Sequence, residues 1–415
     1  MPAAGRMPMS LSGLAPFDRR GHQRRLLVDA LRRAQRASRA ELAAVTGLSA
    51  QTVTVLVEDL VADGLVMELG RRQAARGQPP IELGLNPEGG FAIGLQIDQG
   101  RVTGLVADIE TRIRSQDQVL CCTREPASAL ADIGTFVDRL VAAAGVEFAR
   151  IWGIGIVLPG PFGLEADRDD PLTMPAWTQR DFVPDYMAAL RCPVIVGNDA
   201  TAAAIGEHLD GVARDLRGFV YLYIGEGIGG GLFIDDHPFT GTFGNAGEIG
   251  RMLVIDPDRG APAALESIAS VSALRGMLLD AGCDAALSAE ADALLDLDPA
   301  TLDRWFERVA DALRIAIVNL ENLFDPEAIV LGGPLPTRAL MRLAKALEPL
   351  PASVSLRRER AQPRLLIARS GRSSSALGGA TLALFRALSP QPRAARIARH
   401  RTPLDSRARP RELRQ

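Results

Sequence analysis

The tract Gly225-Glu226-Gly227-Ile228-Gly229-Gly230-Gly231 is the segment of this chain most suited to chemistry. Glycines let backbone N–H groups close around an anion and take positive φ, which is the design of a phosphate cradle. Glu226 works against that design. At about 4 Å and an effective dielectric near 20, each phosphate–carboxylate charge pair repels by about 4 kcal/mol unless a cation bridges it. The tract reads as a nucleotide site whose electrostatics have been spoiled. A second candidate is the pair Asn198-Asp199, which precedes an alanine-rich helical run. A carboxylate there can act as a base toward a hydroxyl or merely accept its hydrogen bond. It can equally cap the helix that begins at Ala200-Thr201.

Metal chemistry finds no support. The four histidines (His22, His208, His237, His400) and four cysteines (Cys121, Cys122, Cys192, Cys283) are scattered, with no ligand or disulfide spacing. No metal or cofactor is expected, and the reduced cytoplasm is the expected compartment. The 415 residues suggest two or three domains, with 47% apolar residues to fill their cores. With a net charge of −3, any contact with nucleic acid must come from a local excess of basic residues. No apolar run reaches the ~18 residues of a membrane span, and Met1–Gly21 lacks the apolar centre of a signal peptide.

The elements that carry these residues fall into two parts. Residues 22–36 place Leu26, Leu27, Ala30 and Leu31 on one helical face. Ser38 and Glu41 form a capping box that opens a short helix, ended by Gly47. Leu48-Ser49 starts a third helix, Ala50 to Asp63, with Val53, Leu56, Val57 and Leu60 inward and Gln51, Thr52 and Thr54 outward. Two apolar stretches, Leu65–Leu69 and Ile81–Leu85, flank an arginine-rich tip containing Arg71, Arg72 and Arg76. Between residues 19 and 80 stand eleven arginines against six acids. Helices, turn and basic hairpin in this order predict a winged helix-turn-helix that binds DNA. Its expected contacts are Ser38, Ser49, Gln51, Thr52, Thr54, Arg71, Arg72 and Arg76. A three-helix protein-binding module with a solvated charged face is the alternative.

After a linker at Pro87-Glu88-Gly89-Gly90, strands are predicted at Phe91–Asp98, Arg101–Ile109, Ile151–Leu158, Val194–Val196, Phe219–Ile224, Gly230–Ile234 and Ala328–Leu331. Helices are expected over 128–144, 181–190, 199–208 and 301–323. Strands alternating with helices make the body α/β. The division expected is a disordered start over 1–20, a winged helix over 21–86, an effector body over 90–388 and a basic disordered tail over 389–415. That tail carries eight arginines and two acids.

Seven segments recur in an order that resembles the ROK family of repressors, open reading frames and sugar kinases. They are Leu158-Pro159-Gly160-Pro161, Pro175-Ala176-Trp177, Gly197-Asn198-Asp199-Ala200, the glycine tract, Ala246-Gly247-Glu248-Ile249-Gly250, Leu265-Glu266 and Leu331-Gly332-Gly333. The resemblance spans residues 22–385 and implies a winged helix-turn-helix followed by a two-lobed actin-like ATPase (sugar kinase) fold, with sugar and ATP in the cleft. It makes Asp199 the relic of the general base, beside Asn198, and makes Glu248 and Glu266 acceptors for sugar hydroxyls. Thr173 stands where the family has a substrate-contacting Asn. Arg251 stands where it has a zinc histidine, able to pair with Glu248 or to reach the ligand. The loop at 256–262 has no cysteine, so the family zinc site is gone. Gln96 replaces the phosphate-side aspartate, unless Asp98 substitutes from a shifted position, and Glu226 replaces a threonine. These departures argue against phosphoryl transfer, which rests on positioning and charge neutralisation.

Three functions stay open at this point. The first is a DNA-binding regulator, a repressor of carbohydrate metabolism, whose body senses a sugar and which works as a homodimer or higher homo-oligomer on an operator. The second is an ATP-dependent sugar kinase, possible in a bifunctional protein. The third is a regulator controlled by a partner protein, with a relic pocket.

Overall fold

A computed structural model describes residues 19–388 except 73–79, 99, 121–124, 163–173, 179–181, 358, 370 and 372. The expected contacts Thr173 and Arg76 lie outside the described residues, as do the two termini.

The winged helix forms as its sequence dictates. Helices α1 (Arg19–Ala34), α2 (Arg39–Thr46) and α3 (Ala50–Ala62) are followed by the wing strands β1 (Val66–Arg71) and β2 (Ile81–Leu85). At the start of α2 the Ser38 amide donates to Glu41 Oε2 at 2.7 Å and the Glu41 amide donates to Ser38 Oγ at 3.3 Å. Gly47, at φ 68°, ends that helix in the left-handed region where a side chain would be strained. Leu27, Leu31, Leu42, Val53, Leu56 and Leu60 close the core between the helices.

The first lobe runs β3 (Phe91–Asp98), β4 (Arg101–Asp108), β5 (Ile113–Leu120), α4 (Pro126–Ala144), β6 (Ile151–Leu158), α5 (Pro175–Thr178), α6 (Val183–Leu190), β7 (Val194–Asn198) and α7 (Asp199–Asp210). The second runs β8 (Phe219–Ile224), β9 (Ile228–Ile234), β10 (His237–Pro238), β11 (Leu253–Ile255), β12 (Pro262–Ala264), α8 (Glu266–Ala269), α9 (Val271–Asp280), α10 (Ala291–Leu294), α11 (Pro299–Phe324), β13 (Ala328–Gly332), α12 (Thr337–Leu347) and β14 (Leu365–Ile367), after which α13 (Ser374–Leu388) returns to the first sheet. Each lobe holds a five-stranded sheet of the same plan: an antiparallel meander, then two parallel strands. The orders are β5-β4-β3-β6-β7 and β10-β9-β8-β13-β14.

Helices α7 and α13 lie between the two sheets and pack on each other. The approach is so close that side chains are excluded. A methyl group on Gly155 of β6 would fall 2.6 Å from the Gly379 carbonyl carbon of α13. One on Gly378 would fall 2.6 Å from the Ala202 carbonyl carbon of α7. On the outer faces, Phe136 and Leu140 of α4 cover the first sheet, and Trp305, Leu313 and Leu340 of α11 and α12 cover the second.

The expected linker is a correction. Pro87–Gly89 is a tight turn capped by Asn86, whose Nδ2 donates to the Gly64 carbonyl at 2.7 Å. Leu27 and Leu31 of the winged helix belong to one continuous cluster with Leu105, Ile109, Trp152 and Ala380 of the body. Apolar surface runs unbroken through the junction, so head and body share a core instead of being tethered.

Candidate functional site

The cleft expected between the lobes falls where parallel strands β6 and β7 end, the usual position for a ligand beside open parallel sheets. Asn198 closes β7 and caps α7, its Oδ1 accepting the Thr201 amide at 3.0 Å. The helix cap is thus Asn198, and Asp199 is the first helical residue, its Oδ1 accepting the Ala200 amide at 2.8 Å. Across the cleft, Glu248 Oε1 fills the space a side chain on Gly160 would need, and a methyl group there would also fall 3.2 Å from Asn198 Nδ2. Glu266, the first residue of α8, lies against Gly250. The structure therefore brings Asn198, Asp199, Glu248 and Glu266 to one place from both lobes.

Their charges are felt mutually. Burial pushes the Asp199 carboxyl up to about 7, and the carboxylates of Asp98 and Glu248 add to the rise. Burial also raises Glu248; the Arg251 guanidinium draws it back and Glu266 pushes it up again. Arg251 Nε stands 3.8 Å from Glu248 Oε2, so of its two expected roles the structure shows the pairing. Near neutral pH, Asp199 can both accept and donate a hydrogen bond. That suits polyhydroxyl recognition, because a site built on buried polar groups rejects a molecule that leaves them unpaired.

The glycine tract is rearranged in meaning. Gly229, Gly230 and Gly231 lie in β9, and their missing side chains admit neighbouring elements. A methyl on Gly231 would fall 2.7 Å from the Ala200 carbonyl oxygen of α7, and one on Gly230 2.8 Å from the Gly247 carbonyl oxygen. These three glycines serve packing, correcting the phosphate-cradle reading for that half of the tract. Glu226 is locked: Ser272 Oγ and Arg275 Nη2 of α9 each donate to its carboxylate at 2.8 Å. Gln96 sits half-buried in β3. Among the described residues no three His, Cys, Asp or Glu side chains gather to hold a metal ion.

Sequence reasoning missed two cross-cleft contacts. Asn245 exchanges paired hydrogen bonds with the Phe162 backbone, at 2.7 and 2.8 Å. Arg101, at the hairpin tip of the first lobe, meets Glu290 of the second at 2.7 Å. The first was legible only as a polar residue inside the glycine-flanked motif Gly244-Asn245-Ala246-Gly247; the second left no local signal.

On the face expected to meet DNA, Gln51 is exposed, with Thr52 and Thr54 half-exposed. Ser49 caps α3, accepting the Thr52 amide at 3.2 Å and sharing a hydroxyl contact with Thr52 Oγ1 at 2.8 Å. Thr54 Oγ1 donates to the Ala50 carbonyl at 2.9 Å. Arg71 is exposed, while Arg72 pairs with Glu41 and Glu82 at 3.0 and 2.8 Å. Ser38 is a correction: only 5% exposed, its hydroxyl is consumed by the capping box rather than offered outward. Val55, 48% exposed on α3, is an outward residue that polarity alone would not select.

A single helix connects the two regions. Helix α7 begins at the cleft with Asp199, and its last-turn carbonyl on Leu209 accepts Arg32 Nη1 of α1. Arg214 Nη2 donates to the Arg32 and Arg33 carbonyls, and Arg33 pairs with Asp236 at 3.3 Å. His208, buried in the same turn, stacks on Phe219 and packs at a tilt against Phe233. Burial first, then Arg32 and Arg33, push its pKa down to about 4, so it is neutral at physiological pH.

Residues 92–386 match the ROK family model, and residues 21–67 match a winged helix-turn-helix DNA-binding model. The chain belongs to the ROK family. This ROK chain is 31% identical to an uncharacterised Sinorhizobium fredii protein over 88% of its own length and 91% of the relative's. It is 27% identical to the xylose repressor of Bacillus spizizenii over 76% of itself and 82% of that protein. Among solved structures, a ROK family transcriptional regulator homologous to the MLC protein of E. coli superposes with a TM-score of 0.64 at 24% identity. That alignment covers 88% of this chain and 98% of the other. A ROK glucokinase from Streptomyces griseus with glucose and AMPPNP gives 0.54 at 25% identity, covering 71% and 99%. No single described helix is long and apolar enough to cross a membrane.

Proposed function

We propose that this ROK protein is a transcriptional repressor of carbohydrate metabolism. The third helix of its winged domain reads an operator, and its cleft takes a sugar or sugar derivative that alters DNA affinity. The observation that carries this reading is the course of α7, from Asn198 and Asp199 at the cleft to Arg32 of the winged helix. The relatedness to xylose repressors supports a sugar as effector. Asn198, Asp199, Glu248, Glu266 and Arg251 form the ligand set, with Thr173 completing it. Ser49, Gln51, Thr52, Thr54, Arg71, Arg72 and Arg76 face DNA. Two copies read a two-fold operator, with α3 in successive major grooves. The protein works where its operator is, in the cytoplasm.

A ligand biases such an equilibrium only through its different affinities for the two states. Sugar held between Asp199 and Glu248 closes the lobes and turns α7, and with it the surface on which α1 rests. Kinase activity is lost in this reading. Gln96 supplies no charge toward a metal or phosphate, and Glu226 with Arg275 fills the nucleotide side with a completed ion pair.

Thermal unfolding against a panel of pentoses, hexoses and their derivatives, with and without Mg-ATP, tests this. A ligand at 100 times its dissociation constant adds about 2.7 kcal/mol. The expected result is stabilisation by one sugar, indifferent to ATP and lost in Glu248→Ala, while Glu248→Ala still binds operator. A joint requirement for sugar and ATP with phosphorylated product would restore the kinase reading. Silence across the panel would remove the sensor and leave control by a protein partner.

A further inference from the structure

Far from the cleft, where α1, the turn after β4 and the end of α7 meet, the surface holds an open cavity of about 250 Å³. Arg32, Arg112, Arg214 and Arg369 line it, with Glu110 and Asp210 as the acidic members. Four guanidinium groups against two carboxylates leave two positive charges in the wall. Asp29, which holds Arg32 at 2.8 Å, offsets one of them. A cavity with net positive walls and low-dielectric surroundings concentrates anions.

The ordinary role of arginines at helix ends is to satisfy last-turn carbonyls. Three of the four do so: Arg214 with the Arg32 and Arg33 carbonyls, Arg32 with Leu209, and Arg369 Nη1 with Asp210 at 3.1 Å. That role uses one nitrogen of Arg214 and one side-chain nitrogen of Arg369, and a guanidinium carries five N–H donors. Among the described residues the Arg112 side chain caps no helix; it is 67% exposed and pairs with Glu110 at 2.7 Å. Burial raises the Glu110 carboxyl; Arg112 lowers it, and Asp108 and Asp210 raise it. An incoming anion can therefore recruit Arg112 from a partner that is itself poorly solvated.

We propose that this junction cavity is a second effector site, separate from the sugar cleft, that takes a small phosphorylated or carboxylated metabolite and couples its level to the seating of the winged helix. The volume suits one small metabolite. The walls belong to the DNA-binding head, the first lobe and the helix between the lobes, so an occupant bridges parts that must move together when the head is re-aimed. The cleft lies at the opposite end of α7, about 18 Å away at 1.5 Å per residue.

The test is calorimetry and thermal unfolding of the full chain at constant ionic strength. The probes are inorganic phosphate, a hexose 6-phosphate, a pentose 5-phosphate and citrate; the first three against the last separate phosphate from carboxylate recognition. One probe is expected to bind saturably, to lose about tenfold or more in affinity in Arg112→Ala, to tighten in Glu110→Gln and to persist in Glu248→Ala. The same probe should shift operator affinity. Arg112 is exposed and Glu110 half-buried, and neither belongs to a hydrophobic core, so both variants should fold. The proposal fails if no probe binds saturably at millimolar concentration, or if binding ignores Arg112→Ala. It fails equally if binding disappears in Glu248→Ala, which would place the anion in the cleft, or if occupancy leaves operator affinity unchanged.

Discussion

Replacing Asp199 by asparagine should stabilise the ligand-free protein, and by an amount that depends on pH. The side chains have nearly the same shape, and asparagine can still accept the Ala200 amide. What changes is the charge. Moving a carboxyl from 3.8 to about 7 separates its neutral and ionised forms by about 4 kcal/mol. Because the folded value is raised, the stability this group contributes is complete below its unfolded value of 3.8 and is lost as pH rises through about 7. Linkage gives a cost of about 2 kcal/mol at pH 5 and about 4 kcal/mol at pH 8. Asparagine carries none of it. Urea unfolding at those two pH values should show Asp199→Asn more stable than the parent, with the gap widening by about 2 kcal/mol toward pH 8. Sugar affinity should move the other way, because the variant cannot accept a hydroxyl proton as a carboxylate does. An Asp199→Asn protein no more stable than the parent at pH 8, or a gap independent of pH, would refute the account of a strained carboxylate in the cleft.

Other consequences can be checked independently. Gly155→Ala drives a methyl into the Gly379 backbone and should cost about 3 kcal/mol or more in denaturant unfolding, whereas Gly134→Ala in α4 meets only Leu190 Cδ2 at 3.9 Å and should be neutral or stabilising. Equal effects of the two would undo the argument for backbone contact between α13 and β6. Gln51→Ala with Thr52→Ala removes outward groups of α3 and should weaken operator binding by about 1–3 kcal/mol per lost base contact, with sugar affinity intact. Fluorescence anisotropy with labelled operator reads this, and an unchanged dissociation constant would move the recognition surface elsewhere.

Much of the head was legible because its signals are local. The Ser38–Glu41 box, Gly47 and the stripe Val53, Leu56, Val57, Leu60 all act within a few residues of themselves. In the body, strands buried on both faces, such as β6 and β8, announced themselves as apolar runs. Strand β5 did not, because it is an edge strand whose residues Ile113–Leu120 are mostly exposed and polar. Helix α13 was hidden by Gly378 and Gly379, which weaken helix propensity in order to fit between α7 and the first sheet. At the site, Asn198, Asp199, Glu248 and Glu266 were found by motif. The meaning of the glycine tract was not, since a glycine beside a phosphate and one beneath a helix look identical in sequence. Arg275, which holds Glu226, lies 49 residues on, and Leu209, whose carbonyl Arg32 reaches, lies 177 residues on. Neither distance leaves a trace in a local window.

The unbroken core at the junction has a consequence for engineering and for divergence. Modular regulators are commonly recombined by cutting between a reading head and its sensor. Here such a cut at residues 87–90 would strip Leu27 and Leu31 from Trp152 and Leu105 and lay apolar surface bare on both pieces. A transplanted head would have to arrive with a matching underside, so new operator specificity is more cheaply gained by changing the outward residues of α3 than by exchanging whole domains.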